Sequence, residues 1–512
     1  MEVTLNSGMD TRLHLWSKLR RGIVFTEGVV RYVRTARIGA TTFLDYWWSL
    51  RSLDEESAPY EVAILKCHKR AATRIYKGAL KNGGIYIKFG QALATLNHVL
   101  PREFTEKLAL LQDQVPKRGY KEVETLFLED FGRTPLQIFK EFDLLPVAAA
   151  SLAQVHTART ADGKKVAVKV QYMDLRDRFH GDMETIRIIV RGMDWVFGQR
   201  DRVRIFDEIK KNLKEELDFE KEARNSEKCQ EGLRLLGYVY VPKVFWKYTS
   251  KRVLTMEYIE GVKPTDLEEL ERHNFNRKEV AHKVVETFNH QIFHTGFIHA
   301  DPHPGNIFIR SDTKGQVQVV LLDHGLYTEV DTNTRVAFGK FWKNLILRNE
   351  SGIQESCRDL GIKEYELFTM LLTGKVLKRH LSHQNVSSDI SKEDVAQIKE
   401  YMSNNEDKFE DIFQSLPPAT FLMFRNINII RSINKHLGTP VNRFLLMARS
   451  AATGSETHSY AGIWLLWNTA IFDIRLRIWS FKMWLFVAYL KVLVALGRVP
   501  PEATQRIQQM QA

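Results

Sequence analysis

His299-Ala300-Asp301-Pro302-His303-Pro304-Gly305-Asn306 is the stretch on which the reading of this chain turns. It runs into a short apolar strand, Ile307 to Arg310. A turn at Lys314-Gly315 leads to a second strand, Val317 to Leu322, and Asp323-His324-Gly325 follows. In an antiparallel hairpin the start of the first strand lies beside the end of the second. Asn306 and Asp323 should therefore meet at one end, with Asp301 just before them. Two oxygen donors suit Mg²⁺, which takes a few protein ligands and completes its shell with phosphate oxygens and water. A third carboxylate nearby can orient a hydroxyl or water for in-line attack. A purely structural reason for so many polar residues around one short hairpin is weak.

Working upstream, Val166-Ala167-Val168-Lys169 ends a strand predicted over Lys165 to Gln171. Period two sets Ala167 and Lys169 on one face and Val166, Val168 and Val170 on the other. Lys169 then projects beside a residue small enough to pack a flat base. The preceding strand is Leu152 to Arg159, joined through the hairpin signal Ala161-Asp162-Gly163. Before it, Phe139 to Leu145 reads as a strand and Pro146 to Ser151 as a turn. A charged helix is expected over 203–225, carrying Glu215, Glu216, Asp218, Glu220 and Glu222. Glu216 and Glu222 are six apart, about 240° around such a helix, and could serve two different lysines. Val239 to Tyr248 and Arg252 to Tyr258 read as further strands. Residues 55–135 read as helical, and from 265 onward the texture is mostly helical apart from the hairpin at 307–322. The layout is α+β.

The 512 residues allow about three domains at roughly 150 each, or one large two-lobed domain. At 44% apolar and 27% charged the chain can bury a sizeable core, which excludes wholesale disorder and fibrous classes. A net charge of +12 favours anionic partners without choosing among them. The 3 cysteines, far apart, exclude a disulfide framework and any CxxC metal site. Between residues 11 and 44 the basic residues Arg12, Lys18, Arg20, Arg21, Arg31, Arg34 and Arg37 face the single acid Glu27. That is a transit-peptide or membrane-surface signal, or equally a solvated basic helix. No uncharged apolar run reaches the 18 or more residues of a membrane span. The tail from Ile463 to Gly497 holds Trp464, Trp467, Trp479 and Trp484, interrupted by charges on both sides of any helix it forms. A helix docked on a large domain is expected there first, and a membrane-contacting hairpin second.

The order of these pieces is that of the protein-kinase parts: strand Lys169, helix Glu222, strand Val253–Tyr258, loop His299–Asn306, then Asp323–Gly325. Met256 takes the gatekeeper position, and Glu257 to Ile259 the hinge that meets adenine. The departures are informative. The phosphate loop reads Ala148-Ala149-Ala150-Ser151 where glycines are usual, and the metal motif is Asp-His-Gly. Upstream stands Lys88-Phe89-Gly90-Gln91, and the charged helix carries Glu216-Leu217-Asp218. Together these closely resemble the UbiB family of atypical kinases, also called aarF-domain-containing kinases, over about residues 60–345. Asp45–Arg51, Ala148–His156 and Val170–Tyr172 are most similar to its fifth animal branch.

The resemblance implies an atypical, two-lobed kinase-like fold with an N-terminal helical KxGQ extension. The expected segments are 1–54, basic; 55–135, the extension; 136–259, the N-lobe; 260–455, the C-lobe; and 456–512, the Trp-rich tail. It implies ATP and Mg²⁺ as cofactors. Lys169 would contact the α/β-phosphates and pair with Glu222, Asp301 would be the catalytic-loop aspartate, and Asn306 and Asp323 would hold the metal. Ala148–Ser151, Ala167, Met256, Glu257 and Ile259 would line the nucleotide. Lys88 and Gln91 belong to the KxGQ motif, with Lys88 pairing Glu216 or Asp218 and the extension covering the place a protein substrate would take. No Ala-Pro-Glu follows Asp323, and Val336 to Leu347 already reads as helix, so phosphorylation of proteins in trans is not expected. The family's setting implies mitochondrial, membrane-associated work on coenzyme Q or another isoprenoid lipid.

Three function classes follow. The first is a Mg-dependent ATPase or a kinase of a small or lipid-linked molecule. The second is a nucleotide-binding scaffold without phosphoryl transfer. The third is a metal hydrolase built from His299, Asp301, His303, Asp323 and His324, which leaves Lys169 and the helix carboxylates unexplained. Nucleic acid is not an expected partner, because no basic-aromatic module accompanies the positive charge. The sequence does not fix the oligomeric state.

Overall fold

The computed structural model describes residues 2–54, 57–94, 100–112, 118–197, 202–374, 398, 401 and 418–454. The Trp-rich tail, with its expected docked helix or hairpin, lies outside them. Among the described residues no helix is long and apolar enough to cross a membrane. The chain divides into two compact units, Met1–Ala223 with Lys243–Ile259, and Arg224–Pro242 with Glu260–Ala512.

The first unit is built on an antiparallel sheet. Its strands run Glu141–Phe142, Ala153–Arg159, Lys165–Gln171, Val253–Glu257, with Ala148–Ala149 also paired to Ala153–Arg159. The expected alternation holds along Lys165–Gln171. Val166, Val168 and Val170 are buried in one cluster with Leu126, Phe127, Phe142 and Val253. Burying each such side chain contributes roughly 1.5–3 kcal/mol. A one-residue register slip would exchange them for Lys165, Ala167 and Lys169, so the valines fix which way Lys169 faces. The pairing sets Lys169 opposite Leu254 and Ala167 opposite Met256.

Helices cover the rest of this unit: Glu2–Leu50, Ala58–Asn82, Gly84–Ala94, Arg102–Ala109, Tyr120–Phe131 and Leu175–Phe197. Ser57 caps the second through its hydroxyl, which accepts from the Tyr60 N–H. Gly83, at φ 71°, ends it. The described residues within 55–135 bear out the helical reading there, with 55–56, 95–99 and 113–117 lying outside them, whereas the long Leu175–Phe197 helix was not foreseen.

Three sequence expectations are corrected. The strand expected over Phe139–Leu145 shrinks to Glu141–Phe142, and a helical turn, Pro135–Ile138, started by the Thr134–Gln137 capping box, precedes it. The strand expected over Val239–Tyr248 also breaks up. Val239–Tyr240 pairs parallel to Val317–Leu321, Pro242 lacks an N–H to continue a ladder, and Trp246–Tyr248 is a 3₁₀ turn. The charged helix is two helices, Arg202–Glu216 and Phe219–Gly232. The Leu217 carbonyl accepts instead from Gln171 Nε2 at 3.2 Å and Arg176 Nη2 at 3.1 Å. Asp218 Oδ1 then caps the second helix through the Glu220 and Lys221 N–H groups.

In the second unit the hairpin Ile307–Ser311 and Val317–Leu321 packs against the helix Arg277–His290, which buries Val280, Ala281, Val284, Val285 and Phe288. A larger cluster gathers Phe338, Phe341, Trp342 and Phe444 around the helix Thr332–Leu347. The helix Pro418–His436 contributes Met423, Phe424 and Ile427 to it.

The cap at Asp218 gives a direct stability test. Asp218→Ala should lower unfolding free energy by about 1 kcal/mol, read as a reduced denaturation midpoint with unchanged m-value. An unchanged midpoint would show that the break between the helices owes nothing to the cap.

Candidate active site

The site residues of the first unit hang on the sheet and the two charged helices. Lys169, on the face opposite the valines, reaches Glu222 with Nζ to Oε1 at 2.7 Å. Glu222 is 3% exposed and Lys169 14%, so the pair is largely shielded from water. Breaking such a pair by removing one partner is strongly destabilising, because the remaining charge loses its counterion. Each partner therefore holds the other's rotamer. The second lysine–carboxylate pair also forms: Lys88 Nζ lies 2.7 Å from Glu216 Oε2. Asp218, the other candidate partner, is the helix cap just described. Glu216 and Glu222 serve two lysines as the spacing suggested, but because a helix break separates them rather than because they point apart on one helix.

The KxGQ residues have distinct jobs. Gln91 Nε2 donates to the Leu111 carbonyl at 3.0 Å. A Cβ at Gly90 would meet Leu111 Cδ1 at 2.4 Å, so glycine permits the close approach of the 3₁₀ turn Leu110–Gln112. The motif thus clamps this turn while its lysine is anchored to Glu216.

The alanine loop is more ordered than a turn. Ala148 and Ala149 pair with Val155 and Gln154, and the Ala150 N–H donates to the Ala153 carbonyl at 2.7 Å. None of these three alanines has a positive φ. The strand ends at Ala149, and Ser151, two positions on, is buried. Met256 stands opposite Ala167, Glu257 opposite Val166, and the first unit ends at Ile259.

In the second unit the hairpin register pairs Ile307 with Leu321, and the Leu322 N–H donates to the Asn306 carbonyl at 2.9 Å. This sets Asn306 and Asp323 at one end of the hairpin. The loop before them winds on the Asp301 carbonyl, which accepts from the His303 N–H at 2.8 Å and from Asn306 Nδ2 at 3.2 Å. With its amide nitrogen so engaged, Asn306 turns its oxygen elsewhere. Asp323 Oδ1 accepts from the Gly325 N–H at 3.0 Å. The two residues offer an all-oxygen donor set, which fits Mg²⁺.

The histidines are occupied structurally. His299 Nδ1 accepts from the Asp301 backbone N–H at 3.1 Å, and the His299 backbone N–H donates to Gln291 Oε1 at 3.0 Å. Burial lowers its pKa although Asp323 and Asp301 oppose the shift, so the imidazole is neutral. His324 Nε2 lies 3.1 Å from the Leu321 carbonyl and Nδ1 2.9 Å from the Tyr327 hydroxyl. Burial raises the Tyr327 pKa well above its ordinary value, which keeps the phenol protonated and donating. His303 Nδ1 accepts from the Gly305 N–H. Among the described residues no group of three or more His, Cys, Asp or Glu is arranged to hold a metal ion. These engagements remove the support for the transition-metal hydrolase.

One contact was missed by sequence reasoning. Arg425, from the helix Pro418–His436, places Nη2 3.0 Å from Asp301 Oδ1. Its neighbour Asn426, fully buried, donates from Nδ2 to the His299 carbonyl at 2.6 Å. The available signal was Arg425-Asn426 standing inside the apolar run Phe421 to Ile430.

The ABC1 atypical kinase-like domain matches residues 110–357 of this chain. A putative ABC1 protein of Arabidopsis thaliana is 33% identical over 484 residues, covering 89% of this chain and 90% of the relative. The chain belongs to the ABC1/AarF (UbiB) family of atypical kinases. The AarF domain-containing protein kinase 1 of Mus musculus is 31% identical over 487 residues, covering 90% of this chain and 91% of the relative. A probable serine/threonine-protein kinase, abkD, of Dictyostelium discoideum is 39% identical over 438 residues, or 84% of this chain. The chain spans 62% of that relative's length. The mouse relative carries the number 1 in its name, which gives no support to the expected likeness to the fifth animal branch. The fold is thus α+β and of the atypical kinase type.

Glycine in place of alanine would loosen the Ala148–Ala149 pairing and open the backbone to conformations alanine avoids. Ala149→Gly should change the ratio of ATP to ADP affinity, read by titrating both nucleotides into each form. An identical ratio would show that the alanine strand does not set nucleotide preference.

Proposed function

We propose that this chain is a Mg-dependent enzyme that consumes ATP, either hydrolysing it or transferring its γ-phosphoryl group to a small or lipid-linked hydroxyl compound. The observation that carries the reading is the convergence of Asp301, Asn306 and Asp323 on one end of the Ile307–Leu321 hairpin. Lys169, held by Glu222, would pair with the α/β-phosphates, and Ala167 and Met256 would flank the base. Asn306 and Asp323 would hold magnesium, which supplies charge neutralisation to the phosphates when bound. Asp301 would accept the proton of the attacking hydroxyl or water.

The acceptor class is argued from what surrounds Asp323. The helix Thr332–Leu347 begins nine positions after it, with only the short strand Tyr327–Glu329 between. That leaves little chain for docking a peptide, which supports a small or lipid-linked acceptor. Contact with a membrane surface is supported by the first helix, where Val30, Val33, Trp47 and Trp48 are exposed and the Arg51 guanidinium lies 3.8 Å over the Trp48 ring. Aromatic and basic residues side by side suit the headgroup region. A mitochondrial setting, with coenzyme Q or a related lipid as the beneficiary, is part of the same proposal and rests on family resemblance.

Phosphate release from Mg-ATP, with and without anionic liposomes, tests the reading. Wild type should turn over and respond to lipid, and Asp301→Asn should lose about 10²-fold or more of the rate. Absence of turnover from protein shown to bind nucleotide would favour the scaffold.

A further inference from the structure

Arg425 touches the Asp301 carboxylate and has no part in the mechanism above. Its position is fixed from both sides. Asn426 bonds to the His299 carbonyl, and Leu422, one turn earlier, packs with Ala300 and Leu326. The helix Pro418–His436 is thereby registered against the catalytic loop, so the Arg425–Asp301 contact is not a chance surface pair.

The pairing is nonetheless incomplete. A guanidinium usually presents Nε and Nη2 together as a fork to two oxygens. Here Nη2 meets Asp301 Oδ1, while Nε is buried and has no hydrogen-bond partner among the described residues. A buried donor without an acceptor carries a desolvation penalty, so a seat that supplies Nε with an oxygen is favoured over this one. The Arg425 side chain is 20% exposed and that of Asp301 30%, which leaves both reachable. Further along the helix, Arg431 Nη1 is also buried without a partner among the described residues, and burial lowers its pKa.

We propose that Arg425 is a specificity-determining residue that binds an oxyanion, carboxylate or phosphate, carried by the acceptor beside its reacting hydroxyl. The inference rests on Asp301 being the base of the proposed transfer. Without acceptor, the guanidinium rests on Asp301. The acceptor's anion takes the Nε–Nη2 edge, and Asp301 is released to receive the hydroxyl proton. In the transfer the acceptor O–H bond breaks, its proton passes to Asp301, and its oxygen bonds the γ-phosphorus. The bond from the γ-phosphorus to the bridging oxygen breaks, and its electron pair leaves with ADP.

The test uses the full chain and inorganic phosphate as probe. Calorimetric titrations are run with protein saturated by Mg-ADP or by a non-hydrolysable Mg-ATP analogue. Phosphate should bind with the analogue present, because the γ-phosphoryl position is then filled. Arg425→Ala should weaken that binding about tenfold or more, and Arg425→Lys should recover only part, lacking the fork. Asp301→Asn should tighten it severalfold by removing the competing charge, an outcome that holds even if Arg425→Ala fails to fold. Phosphate bound only with ADP would assign the anion to the γ-phosphate position and overturn the proposal. So would absence of phosphate binding, unchanged affinity in Arg425→Ala, or weaker affinity in Asp301→Asn. The nucleotide saturation step separates the two levels. No nucleotide uptake defeats the proposed function itself, whereas uptake without Arg425-dependent phosphate binding defeats this inference alone.

Discussion

Three valines decide where the chemistry of the first unit can be. Val166, Val168 and Val170 all enter one core cluster, and the two-residue period of a strand then sends Lys169 to the opposite face. A lysine there has a long, mobile stem and is of little use to a phosphate until something holds it. Glu222 does so at 2.7 Å from a nearly dry position. Glu222 in turn depends on the helix that starts at Asp218. The chain from apolar core to oriented cation thus runs through two local devices, a strand period and a helix cap.

The second unit solves a related problem with backbone rather than with charge. Asp301, Asn306 and Asp323 would repel or wander if left on a free loop. Instead the Asp301 carbonyl collects two donors, the Asn306 carbonyl takes the Leu322 N–H, and Asp323 binds its own Gly325 N–H. His299 and His324, which look from the sequence like further chemical groups, are spent on holding this frame. His324 stands at the motif position where the Asp-Phe-Gly form has an apolar ring, and it shares a hydrogen bond with the Tyr327 hydroxyl.

How much of this was legible in the sequence follows from the range of the interactions. The Lys165–Gln171 strand and the 307–322 hairpin are set by local period and turn residues, and both were readable. So was the meeting of Asn306 with Asp323, which is a property of any hairpin of that register. The break at Leu217–Asp218 was hidden, because the groups that draw the Leu217 carbonyl away, Gln171 and Arg176, lie more than 40 positions upstream. Its local trace was an aspartate followed by acidic residues in a first helical turn. Arg425 left a weaker trace still. A charged residue in an apolar helix has many explanations, and only the fold brings it to Asp301, 124 positions earlier.

The proposed chemistry requires that the oxygen set of the second unit hold a metal that the bound nucleotide needs. ATP affinity should therefore be measured with and without magnesium for wild type and for Asp323→Asn. Wild type should bind tightly only with magnesium, and in Asp323→Asn magnesium should no longer improve the affinity. ATP bound equally well in all four conditions would contradict the proposed chemistry.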